Sequence, residues 1–189
     1  MLTSFWEKYQ RAIEFCQQSL IIARKIGDRY TEGSSLGNLG LAYLYQGEYS
    51  QAIEFCQQSL VIAREIGDRY TEGKSLANLG NAYLYQGEYQ RAIKFCQQSL
   101  VIARDIGDSN TEAIAWFYLG SSLKELNRKS DALSAFRNSR ELFQAMGLDD
   151  KVQSCDNAIE YLSQRGLGKL WYWIKKLLRL VIRQFSKIF

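Results

Sequence analysis

Residues 36–52 read Leu36-Gly37-Asn38-Leu39-Gly40-Leu41-Ala42-Tyr43-Leu44-Tyr45-Gln46-Gly47-Glu48-Tyr49-Ser50-Gln51-Ala52, and residues 76–92 repeat the phrase forty positions later with Leu76, Leu79, Gly80, Tyr83, Gly87, Tyr89 and Ala92 in the same places. Working outward, residues 9–48 and 49–88 differ at seven positions only: 10, 11, 21, 25, 34, 37 and 41. A looser third copy starts at Tyr89, and a fourth, from Ser130-Asp131-Ala132-Leu133, keeps little beyond register. Such a period marks stacked units, each too small to bury its own apolar face, that form one continuous core.

Each period contains two helical patterns. Between about 31 and 46, Leu36, Leu39, Gly40 and Tyr43 recur at i, i+3, i+4 and i+7. Between about 49 and 66, Ala52, Ile53, Cys56, Leu60, Ala63 and Ile66 do the same. The expected class is all-α. The chain of 189 residues has no proline, where average usage of about 5% would give roughly nine, so other residues must end its helices. Gly47, Gly87 and Asn127 sit where a left-handed residue closes the first helix, and Gly27, Gly67, Gly107 and Gly147 close the second. Asp28, Asp68 and Asp108 follow directly, positioned to cap the next helix and meet its dipole.

The composition narrows function. With 47% apolar and 23% charged residues the chain reads as folded, and without histidine it lacks an imidazole ligand and a Ser-His or Cys-His pair. Cys16, Cys56 and Cys96 recur at the repeat period, so an intervening helix separates neighbours by more than disulfide or metal reach. They read as core, as does Cys155, which has no CxxC partner. Gly67-x5-Gly73-Lys74-Ser75 imitates a phosphate loop but has one residue too many and follows no strand. No catalytic residue, metal or cofactor is assigned. The first eight residues, Met-Leu-Thr-Ser-Phe-Trp-Glu-Lys, lack a basic segment followed by an apolar core, so a cytoplasmic location is expected.

The string Leu36-x2-Leu39-Gly40-x2-Tyr43, with Gly47-x-Tyr49-x2-Ala52 behind it, resembles the tetratricopeptide signature, in the forty-residue form of spindle-orientation adaptors, kinesin light chains and many cyanobacterial repeat proteins. Departures are the absent terminal proline, Cys or Phe where a large aromatic is usual, and a third unit with Trp116-Phe117-Tyr118 and Lys124-Glu125 in altered places. The resemblance implies a right-handed superhelical α-solenoid that binds protein partners and is not an enzyme. It divides 1–165 into a half repeat (7–28), repeats 29–68, 69–108 and 109–148, and a capping helix 149–164 with an apolar stripe of Val152, Cys155, Ile159 and Leu162. At the amino-terminal end only Leu2, Phe5 and Trp6 are available to cover the half repeat, so either they fold over it or another chain does, in a homo-oligomer joined through solenoid ends.

In this family a second surface of each first helix lines a concave groove for an extended or helical peptide. Here that surface comprises Ser34, Gly37, Asn38, Leu41, Leu44 and Tyr45, then Lys74, Ala77, Asn78, Asn81, Leu84 and Tyr85. Asparagine amides both donate to and accept from peptide bonds, while Leu and Tyr supply area. Three of the seven differences between the best copies, at 34, 37 and 41, fall on this surface, through selection for a ligand or through drift on a solvent-facing helix.

Beyond a hinge at 166–168, residues 169–189 belong to no repeat. On a helical wheel Lys175, Lys176, Arg179, Arg183, Ser186 and Lys187 form one stripe opposite a broad apolar face that includes Ile174, Leu177, Leu178, Ile182 and Phe185, with Trp171 and Trp173 on or beside it. Six cations and no acid give the pattern of a helix lying in an anionic membrane interface, each cation contributing about 1 kcal/mol. The alternative readings are that the segment is itself the active, membrane-perturbing element, an intramolecular cap or an oligomerisation helix. A narrow cationic stripe without a reading motif argues against nucleic acid. Removing this tail from the net charge of +4 leaves −2 for residues 1–167.

Overall fold

The computed structural model describes the backbone of residues 2–163, with side chains described from residue 9. Eight helices follow one another: α1 (Leu2–Ile26), α2 (Arg29–Gln46), α3 (Tyr49–Ile66), α4 (Arg69–Tyr85), α5 (Tyr89–Ile106), α6 (Ser109–Glu125), α7 (Lys129–Ala145) and α8 (Asp149–Ser163). Among the described residues there are helices and turns and no strand.

The turns take the form their residues dictate. Gly47 adopts φ 82°, and its N–H and that of Glu48 reach back to the carbonyls of Leu44 and Tyr43 at 3.1 and 3.0 Å. Asn127 does the same work in the third unit at φ 58°, the one non-glycine with positive φ among the described residues. At the start of α2 the Asp28 carboxylate accepts from the Thr31 N–H at 3.0 Å and from its hydroxyl at 2.6 Å. Asp68 and Asp108 accept from Thr71 and Thr111 N–H, each at 3.1 Å.

Packing is set by glycines on the even-numbered helices. Gly40 and Gly80 admit the thiols of Cys56 and Cys96, which are fully buried. In the third unit the space beside Gly120 holds the Phe136 ring instead. A serine on each of α3, α5 and α7 donates across the same interface: Ser59 to the Gly33 carbonyl at 2.7 Å, Ser99 to that of Gly73 at 2.8 Å and Ser139 to that of Ala113 at 2.8 Å. Tyr43 stacks on Phe55 and Tyr83 on Phe95, each pair with centroids 5.3 Å apart.

An ion ladder ties the units together. The buried Glu32 accepts from Arg24 Nε at 2.9 Å and Arg29 Nη1 at 2.7 Å, while Arg29 also reaches Glu65 on α3. One unit on, Arg64 and Arg69 hold Glu72 at 2.9 and 2.8 Å, and Arg69 reaches Asp105 at 3.3 Å.

The amino-terminal end differs from expectation. Glu7 stands where Gly47 ends α2, so nothing breaks the chain there and α1 runs unbroken from Leu2. Residues 2–6 are therefore a helical extension of α1 and cannot fold back over its face. Cys16 on α1 is only half-buried, whereas Cys56, Cys96 and Cys155 are buried. At the other end Cys155 is fully buried, and Val152, Ala158, Ile159 and Leu162 pack half-buried against the last two core clusters.

Candidate functional site

The even-numbered helices touch one another directly, α2 against α4 and α4 against α6, in addition to their odd-numbered neighbours. Their shared side therefore forms the inner face of the stack. Two adjoining hollows run along it, of about 390 and 460 Å³, with Tyr45, Ile114, Tyr118 and Lys151 common to both.

The first hollow collects Ser34, Asn38, Leu41 and Tyr45 of α2 with Lys74, Ala77 and Asn78 of α4. The second collects Leu44, Tyr45, Asn81 and Tyr85. Leu84 lines neither. Asn38, Tyr45 and Tyr85 are exposed, and Ser34, Leu41, Lys74 and Asn78 are partly so. Leu44 and Asn81, by contrast, are buried at 5% and 2% exposure, so they form wall rather than open surface. The curvature that presses α2, α4 and α6 together encloses them, which a helical wheel drawn for one helix does not register.

The groove also contains residues beyond that set. Tyr30, Tyr70 and Asn110 line its edge from the first turns of α2, α4 and α6, and Ile114, Phe117 and Tyr118 form its far wall. Ile114 and Tyr118 occupy the repeat positions of Ser34 and Asn38, so carrying the period into the third unit would have found them. Lys151 of α8 has no such signal, because α8 keeps almost none of the repeat's residues.

Two features govern the chemistry of this surface. Among the described residues its lining carries Lys74 and Lys151 and neither Asp nor Glu. It is also rich in phenols: Tyr9 stacks on Tyr45 at 5.1 Å, Tyr49 on Tyr85 at 5.3 Å, and the Lys74 ammonium lies 5.1 Å over the Tyr70 ring. Loss of water pushes the Tyr118 hydroxyl well above the ordinary phenol range, with further contributions from Tyr45 and Tyr85, while a hydrogen bond with Asn81 acts the other way. Tyr45 is raised mainly by burial as well. These hydroxyls remain protonated donors at neutral pH. Asn81 Oδ1 has no protein partner.

Among the described residues no group of His, Cys, Asp and Glu could hold a metal ion. Burial pushes the Cys56 and Cys96 thiols up to about 12, so they stay protonated and unreactive. Gly73-Lys74-Ser75 lies inside α4, not in a phosphate-cradling loop. Among the described residues no helix is long and apolar enough to cross a membrane. Trp171, Trp173 and the other tail positions lie outside the described residues.

Stacked helix pairs whose first helices line a common groove define an α-solenoid, the architecture of a protein–protein interaction scaffold. The tetratricopeptide repeat profile matches residues 7–65 and 71–145, and the chain belongs to that family. Solved structures of similar fold include BtubC (BKLC) from P. vanneervenii, 21% identical with a TM-score of 0.67, where 82% of this chain matches 65% of that one. Another is PH0952 of Pyrococcus horikoshii, a signal transduction ATPase with numerous domains and a tetratricopeptide repeat sensor, at 23% identity and TM-score 0.69; 92% of this chain matches 28% of that one. A kinesin light chain-like protein of Podosopora anserina with nearly identical TPR-like repeats is 17% identical at TM-score 0.58, over 87% and 93% of the two chains. The chain thus spans 65% and 28% of the first two. At these identities the likeness is one of fold. Among curated proteins none matches the chain significantly.

Proposed function

We propose that the chain is a non-enzymatic adaptor that holds an extended peptide segment of neutral to acidic character in the inner groove. The observation that carries this is the lining: open amides at Asn38 and Asn78 alternate with tyrosines and aliphatic side chains, and the charges present are Lys74 and Lys151. Amides at the spacing of one repeat suit a ligand backbone, each hydrogen bond netting about 0.5–1.5 kcal/mol. Peptides selected from a random library against the full chain should be depleted in Lys and Arg. They should bind the Asn38→Ala/Asn78→Ala variant about tenfold more weakly; equal affinity would remove the groove amides from the account.

For residues 169–189 we propose contact with an anionic membrane surface, which would place the adaptor peripherally on it. Support comes from sequence alone: six cations, no acid, and Trp171 and Trp173 beside the apolar stripe. Co-sedimentation with phosphatidylserine vesicles should fall when Lys175, Lys176, Arg179 and Arg183 are replaced by Gln. Unchanged sedimentation would favour an intramolecular cap or an oligomerisation helix.

A further inference from the structure

Among the described residues two buried side-chain oxygens have no hydrogen-bond partner in the protein, Asp68 Oδ2 and Asn81 Oδ1. Asp68 has a role already, since its other oxygen caps α4 by accepting from the Thr71 N–H at 3.1 Å. Asn81 lies inside α4, is 2% exposed and caps nothing. Leaving its carbonyl unpaired costs stability, and the repeat itself shows how that cost is avoided. At the same place the first unit has Leu41, one of its seven differences from the second. The third has Ser121, whose hydroxyl donates to the Phe117 carbonyl of its own helix at 3.0 Å. The second unit alone strands an acceptor there, and it does so in the wall of the larger hollow, of about 460 Å³.

The surroundings of Asn81 define what that oxygen can meet. Its amide N–H donates to the Tyr118 hydroxyl across the α4–α6 contact, which is the sense of a bond that holds a phenol down against the effect of burial. Tyr118 stays protonated at neutral pH, so its own O–H remains to be donated. The hollow thus offers, side by side, one acceptor on Asn81 and one donor on Tyr118. Leu44, Ile114, Phe117 and Phe143 stand around them, and the charge in the lining is that of Lys151, with no acid among the described residues. A carboxylate would bring its lone pairs to an oxygen that has no proton to give. An ammonium would enter beside a lysine with no counter-charge. A trans peptide unit carries its N–H and C=O on opposite sides, whereas a primary carboxamide is neutral and carries both on one edge.

We propose that this hollow is the specificity pocket of the groove and receives a primary carboxamide, the side chain of a glutamine in the bound segment, which donates to Asn81 Oδ1 and accepts from the Tyr118 hydroxyl. The occupant, a peptide side chain, rests on the adaptor reading above, while the chemistry rests on Asn81 and Tyr118. Because the Asn81 oxygen is closed to solvent, the incoming side chain displaces a ring to reach it; the exposed rings of the lining are Tyr45 and Tyr85, at 47% and 59%. Glutamine, one methylene longer than asparagine, has the greater reach to such a floor.

Two probes test the pocket and the groove separately. The first is N-acetylglutamine N-methylamide, titrated into the full-length chain and followed by NMR through the asparagine side-chain amide resonances, with the methionine and glutamate derivatives as matched controls. The glutamine compound is expected to shift the Asn81 amide saturably at millimolar concentration. The methionine compound, of like length but without the amide, should do so at least about tenfold more weakly. Asn38 and Asn78 line the other hollow, so Asn38→Ala/Asn78→Ala should leave this response unchanged, and the pocket is tested even where the groove captures no peptide. The second probe is a peptide selected against the full chain, which should carry glutamine at one position. Its Gln→Met version should bind the parent chain about tenfold more weakly and Asn81→Leu more tightly than the glutamine version does, while Tyr118→Phe should lose part of the preference. An Asn81→Leu chain that still binds the methionine peptide is folded, and a reversed preference is an effect that a purely structural asparagine does not produce. Equal response to the glutamine and methionine probes, or a preference for glutamate, would overturn the proposal, and peptide binding that needs Asn38 and Asn78 would survive either result.

Discussion

Gly40 lies so close to Cys56 that a Cβ built on it would stand 2.3 Å from Sγ and 3.1 Å from the Ala52 carbonyl oxygen. The second contact is with backbone, so rotating the cysteine cannot relieve it, and the two helices must separate. Gly40→Ala should therefore destabilise the fold by about 1–3 kcal/mol, although alanine is the better helix former. Gly37→Ala is the control, because the next repeat already carries Ala77 there and its Cβ would meet the Ser59 hydroxyl at 3.0 Å. It should be near neutral. Urea unfolding of both variants, and of Gly40→Ala combined with Cys56→Ala, measures the coupling; the double change should recover part of the loss.

Ser59 couples three helices. Its hydroxyl bonds the Gly33 carbonyl of α2 and the Ser75 hydroxyl of α4, at 2.7 and 2.9 Å, and is itself fully buried. Ser59→Ala leaves both partners buried and short of one bond. A loss of about 1–2 kcal/mol is expected in chemical denaturation. Ser19→Ala, which lacks the bond to a preceding carbonyl, should cost less.

Acid should attack the ion ladder. Burial raises the Glu32 carboxyl, but hydrogen bonds from Arg24 and Arg29 and their charges outweigh it, and the result lies below the ordinary carboxylate range. A folded group that ionises more readily than the unfolded one stabilises the fold above the unfolded value of about 4.3, and that contribution is lost as pH falls through the lower folded value. Thermal scans between about pH 2 and 5 should thus show a steeper loss for the parent chain than for Glu32→Gln, which is less stable at neutral pH. Parallel curves would mean that Glu32 takes no part.

Thiol labelling reads the stacking from outside. Cys16 should react with an aromatic disulfide reagent under native conditions, while Cys56, Cys96 and Cys155 react only as fast as the chain opens. Quantitative labelling of four thiols within the reaction time of Cys16 would contradict the packing.

The repeat, its turns and its caps are legible in the sequence because each depends on a few local residues, Gly47 or Asn127 to stop a helix and Asp28 to start one. The membership of the groove is legible in part. Ser34, Asn38, Leu41, Tyr45, Lys74 and Asn78 come together as a helical wheel suggests, but the burial of Leu44 and Asn81 depends on how tightly α2, α4 and α6 are pressed together. Lys151 enters the groove from a helix without repeat identity, and the Arg29–Glu65 link joins residues on α2 and α3 whose pairing no wheel for a single helix contains. The long α1 rests on a single substitution, Glu7 for glycine, which outweighs the register of everything after it.

The central claim is that ligand lies along the inner groove and not on the outer helices. A selected peptide bearing a photo-crosslinker at its middle residue, bound to the full chain and mapped by mass spectrometry, tests it most directly. Adducts should fall on Tyr45, Asn78, Tyr85 and Tyr118, and the Asn38→Ala/Asn78→Ala variant should lose them. Adducts on the outward residues Gln57, Val61, Gln97 or Val101 of α3 and α5, unaffected by that variant, would contradict it.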